Sequence, residues 1–93
     1  MTSDDLRALD QAPPLGAAIE ALWWAGRGEW GRAHECAQSD QGKEAAWVHA
    51  YLHRVEGDQE NARYWYGRAG KPVSGEPLDQ EWRMIAGSLL LGQ

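Results

Sequence analysis

The chain has no phenylalanine, a single cysteine, no long apolar run, and nine lysines and arginines against fourteen acids. Each shortage excludes something. Cys36 alone cannot form an internal disulfide or a thiolate metal cluster, which suits a reducing cytoplasm. A formal charge of -5 opposes nonspecific binding to nucleic acid or to an anionic membrane, because attraction to phosphate needs a basic field. The longest apolar runs span only a few residues, and the first twenty residues carry acids and Pro13-Pro14 instead of a basic start and an apolar stretch. Neither a membrane span nor a signal peptide is expected, and the expected location is cytoplasmic. Gly26, Gly28 and Gly31 precede no Lys-Ser or Lys-Thr pair, so no phosphate loop is present. The histidines have no sequence-defined thiol or hydroxyl partner, which leaves a hydrolase without a residue-level basis.

What the chain does have is large rings: six Trp and three Tyr in 93 residues. A chain of this length forms at most one domain, taken as 1–93, and must bury nearly all its apolar side chains to be stable. The stretch from Lys43 to Gly70 organises it. Val48, Leu52 and Val55 recur at helical spacing, with Trp47 and Tyr51 widening the stripe, and predict a helix over 42–56. Gly57 can adopt the left-handed conformation that ends a helix, and Asp58 can cap the next one, over 59–69, in which Ala62, Trp65, Tyr66 and Ala69 share a face. Gly70 and Pro72 stop that helix.

The remaining elements follow from similar signals. Ser3 is expected to cap a short helix over 4–11. Pro14 is expected in the first turn of a helix over 14–27, with Leu15, Ile19 and Leu22 inward. Gly28 ends it, and a shorter helix over 30–38 turns Ala33, Cys36 and Ala37 inward. Asp40 is a candidate cap for the long helix. After the loop 71–77, Leu78, Trp82, Ile85 and Leu89 predict a final helix over 78–90, acting as a lid over open hairpins. The expected fold is all-α: antiparallel helical hairpins at about 14–38 and 42–70 with a C-terminal packing helix, either tetratricopeptide-like or an irregular bundle.

An internal echo supports paired hairpins. Arg27-Gly28-Glu29 with Ala33 recurs as Glu56-Gly57-Asp58 with Ala62, offset by 29 residues. In the second copy, Ala50, Gly57, Ala62, Tyr66 and Ala69 resemble the tetratricopeptide repeat, which implies a stacked pair of helical hairpins. The block from Trp47 to Gly70, of the form WxHAxLHRxEGDxxNAxYWYxRAG, is similar to that of a family of small uncharacterised bacterial proteins. That resemblance implies no activity, but it singles out His49, His53, Arg54, Glu56, Asp58, Asn61, Tyr64 and Arg68.

Two functional readings emerge. The leading expectation is a small interaction module for a protein or peptide partner, or for a second copy of the chain, using Arg63, Tyr64, Trp65, Tyr66 and Arg68; adjacent aromatics cannot all face one core, and exposed rings beside arginines make interface anchors. The alternative uses His49, His53 and Glu56, which share one helical face and can in principle hold Zn or Fe, with Asp58 and Asn61 nearby as a fourth ligand or support. The same spacing arises in any polar stripe, so no metal and no cofactor is expected. Glu56 is expected to pair with Arg54 or another arginine, Asn61 to bond turn backbone, His34 to be an isolated surface residue, and Cys36 to be a buried small hydrophobe.

Overall fold

The computed structural model describes residues 1–92. It is an all-α bundle of six helices: α1 (Ser3–Ala8), α2 (Ala17–Gly26), α3 (Trp30–Gln38), α4 (Lys43–Val55), α5 (Gln59–Ala69) and α6 (Leu78–Leu91). Helices α2 and α3 form one hairpin and α4 and α5 the next. Helix α4 packs against α2, α3, α5 and α6.

Both hairpins close with one hydrogen-bond pattern. At the end of α4 the Gly57 N–H donates to the Arg54 carbonyl at 3.0 Å and the Asp58 N–H to the His53 carbonyl at 2.9 Å. At the end of α2, Gly28 donates to Ala25 and Glu29 to Trp24, each at 3.0 Å. These are the paired bonds of a Schellman turn, which needs a residue of positive φ just past the helix. Gly57 has φ 80° and Gly28 φ 76°. The echo in the sequence is therefore one turn used twice. Asp58 then caps α5, its carboxylate accepting from the Asn61 N–H at 3.2 Å.

The termini of the first elements differ from expectation. The capping oxygen of α1 belongs to Thr2, which exchanges bonds with Asp5 in a capping box, so the helix begins at Ser3. It stops at Ala8 because the Leu9 carbonyl turns away to accept from the Trp23 indole at 3.0 Å and from the Arg27 guanidinium. Pro14 lies outside α2, whose N-cap is Gly16 at φ 106°. Asp40 does not cap α4; its carboxylate accepts from the Gly42 N–H at 2.6 Å, and Gly42 holds the cap position.

The core has two parts on opposite sides of α4. Val48, Tyr51 and Leu52 join Leu6, Ile19, Leu22, Trp82, Ile85 and Leu89. Ala50 joins Ala62 and Tyr66. Ala50 and Ala62 are completely buried, and small side chains there let α4 and α5 approach closely. Helix α6 lies on α2 and α4 as the expected lid, and also meets α1. Its Trp82 indole donates to the Leu22 carbonyl at 2.8 Å, and a Cβ on Gly26 would stand 3.2 Å from the Trp82 ring, so glycine makes room for it. Leu78, the first member of the expected stripe, remains exposed.

One buried acid ties the two parts together. Glu81 of α6 is 2% exposed. It accepts from Arg54 of α4 at 2.8 Å and from the hydroxyl of Tyr66 on α5. Arg54 also donates to the Glu76 carbonyl, fixing the loop before α6. Burial, then the bond to Glu81, pushes the Tyr66 phenol well above its ordinary value, so it remains a donor. Removing one partner of a buried ion pair leaves the other charge uncompensated. Glu81→Ala should therefore cost about 3–5 kcal/mol, and Tyr66→Phe about 1.5–3 kcal/mol for a hydrogen bond to a charged group, both read from urea unfolding midpoints.

Candidate metal centre

Where α3 crosses α4, the inward residues of α3 are Ala33 and Ala37, both buried. Their small side chains bring the helices together, and His34, three positions before Ala37, falls on the flank of that contact. On α4, His49 and His53 stand four positions apart and therefore share a face. Their rings stack with centroids 4.9 Å apart and planes 13° apart. The His34 ring meets them edge-on, at 5.3 Å from His49 and 5.2 Å from His53. One ligating nitrogen from each of the three lies within 4.8 Å of the others.

The surroundings differ between the rings. His49 is 4% exposed and stacks on Trp65 of α5, centroids 3.9 Å apart and planes 15° apart. His34 and His53 stand at the edge of the cluster, and Glu56 lies beside both. Its Oε1 is 2.6 Å from His34 Nε2 and 3.7 Å from His53 Nδ1. Asp58 approaches His53 Nδ1 at 3.8 Å. The Asp58 carboxyl is held below its ordinary range by the Asn61 side chain, bonded at 2.6 Å, and by the Asn61 N–H.

Burial lowers the His49 pKa from 6.5 to about 4; neighbouring positive charge on His53 and His34 would add to the effect, and Glu56 opposes it. At neutral pH His49 is thus an uncharged imidazole, the form that binds metal. Three imidazoles on two helices, gathered in this way, can coordinate a metal ion. A tetrahedral zinc site, with Zn–N near 2.0–2.1 Å, sets its nitrogens roughly 3.3–3.4 Å apart. Closing the cluster onto an ion thus calls for nitrogens now up to 4.8 Å apart to draw inward.

The expected residues are distributed unevenly. His49, His53, Glu56 and Asp58 come together as their spacing implied, but the third imidazole is His34, expected to stand alone on the surface. Glu56 pairs with His34 rather than with an arginine, because Arg54 is drawn to the buried Glu81. Asn61 donates to the Asp58 carboxylate, from its side-chain amide and from its own N–H, rather than bonding turn backbone. The available signal for His34 was its place beside the Ala33–Ala37 stripe, which fixes the side of α3 facing α4. Of the proposed interface, Arg63 and Arg68 are exposed and Tyr64 is 55% exposed, while Trp65 lies against His49 and Tyr66 is in the core. Cys36 is partly buried against the core, and burial, then Glu20 and Glu35, raises its thiol pKa, keeping it protonated.

Comparisons with protein-family models, curated proteins and solved structures return no match. No helix among the described residues is long and apolar enough to cross a membrane.

The buried imidazole makes stability depend on pH. His49 protonates near 6.5 when unfolded but only at about 4 in the fold. Between those values the unfolded chain binds more protons, so stability rises with pH. The contribution is complete above the unfolded value and is lost as pH falls through the window. A ring-proton NMR titration should place the His49 midpoint near 4, and His49→Gln should flatten the dependence of unfolding free energy on pH across that interval.

Proposed function

We propose that the protein binds a divalent transition-metal ion through His34, His49 and His53. The observation that carries this reading is the convergence of three imidazoles from two helices, one of them buried and neutral at physiological pH. Keeping three histidines together has a function if an ion joins them; core packing alone would be served as well by apolar side chains. Neutral imidazoles without a thiolate suit Zn, Cu, Ni or Fe(II), and zinc accepts an all-nitrogen set most readily in four-coordinate form. Glu56 holds His34 in place and sets negative charge beside the ion, as carboxylates behind metal-bound histidines do.

The interaction surface expected on α5 has less support. Tyr66 is committed to Glu81, and Trp65 to His49. Only Arg63, Tyr64 and Arg68 project freely enough to meet a partner. Trp65 is better read as the wall that holds His49 in its orientation.

Zinc titration of untagged protein against a chromogenic chelator tests the proposal. One equivalent should bind, and the melting temperature should rise with free zinc, by the equivalent of about 2.7 kcal/mol at a hundredfold excess over Kd. His34→Ala or His53→Ala should abolish the binding while leaving helical circular dichroism intact. Glu56→Gln should weaken it about 10–100-fold. Zinc binding by the native chain no tighter than by the variant lacking all three histidines would overturn the assignment.

A further inference from the structure

Between the α3–α4 loop and α5 lies a half-open cleft of about 350 Å³, lined among others by Gln38, Gln41, His49, Trp65 and Arg68. Of the three proposed ligands, His49 lines it. Arg68 has no carboxylate within ion-pair distance among the described residues. Its guanidinium instead lies 5.2 Å from the Trp65 ring and donates to the Tyr64 hydroxyl at 3.3 Å. At other clefts Arg7 pairs with Asp79 at 2.8 Å and Lys71 lies over Trp47 at 4.3 Å, while Lys43 has no ion pair among the described residues but offers a point charge in place of a planar fork.

We infer that this cleft binds a small planar carboxylate, held by Arg68 and directed at the ion on His34, His49 and His53. The inference rests on the metal reading. Three protein ligands leave a four-coordinate ion with one position for water or an exogenous donor. A guanidinium fork fits a carboxylate through two parallel hydrogen bonds. Trp65, stacked on His49, adds apolar surface to the cleft wall, and the two glutamine amides offer both donors and acceptors. A single negative charge is favoured over a phosphate dianion. The cleft supplies one arginine, Asp40 also lines it, and the chain carries a net charge of -5. The Asp40 carboxylate is occupied by the Gly42 N–H at 2.6 Å, which turns one of its oxygens toward the loop backbone.

Cobalt(II) serves as the probe ion, since its visible absorption responds to a new ligand. Benzoate is titrated into the cobalt-loaded protein, with benzamidinium as a cation of the same shape. Benzoate should change the cobalt spectrum saturably and benzamidinium should not. Arg68→Met should leave the cobalt spectrum without benzoate unchanged and raise the half-saturating benzoate concentration at least tenfold. Cobalt bands that ignore benzoate, or that respond equally in Arg68→Met, overturn the carboxylate site and leave the metal centre standing. If cobalt produces no protein-bound bands, the metal centre fails and the carboxylate site fails with it.

Discussion

Helix α4 has to be covered on nearly every side, and the other helices are arranged to do so. Val48, Tyr51 and Leu52 face α2 and α6, Ala50 faces α5, and His49 is enclosed by α3 and Trp65. A helix apolar on a single stripe can rest on one neighbour; one apolar around most of its circumference needs several. This demand brings α3 close enough for His34 to reach the histidines of α4. The cluster of three imidazoles thus follows from the packing of the central helix.

Polar groups on α4 are sorted by where that packing leaves them. Arg54 points toward α6, where Glu81 has been carried into the core and needs a cation. Glu56, at the end of the same helix, points the other way, toward His34. The two charges lie two residues apart in sequence yet serve opposite sides of the molecule. The Arg54–Glu81–Tyr66 network joins α4, α5 and α6 on one side, while the imidazoles join α3 and α4 on the other, with Trp65 of α5 behind them. An ion at the histidines would complete the second of these ties. It would also steepen the loss of stability in acid, because protons compete with the metal for the imidazole nitrogens.

Much of the fold was legible from local signals. Gly28 and Gly57 announced both hairpin turns, because few residues other than glycine accept the backbone conformation a Schellman turn imposes. Stripes at helical spacing located α4, α5 and α6 to within a residue or so. Two of the three imidazoles were legible too, since His49 and His53 on one helix must lie on one face. The helix ends at Leu9 and Gly16 were not legible, because they depend on the Trp23 indole and the Arg27 side chain from a later element and on Gly16, two residues past Pro14, taking the cap.

The sequence by itself determined the helices, the turns between them and the pairing of His49 with His53, because these depend on backbone preference and on spacing within about one turn. Only the tertiary structure decided that His34 is the third imidazole, that Glu56 serves it, and that Arg54 is taken by Glu81. Those contacts join residues 15 to 27 positions apart in the chain. No local periodicity encodes such separations; they are set by the angle and distance at which α3, α4 and α6 come to rest once their small and large side chains have packed.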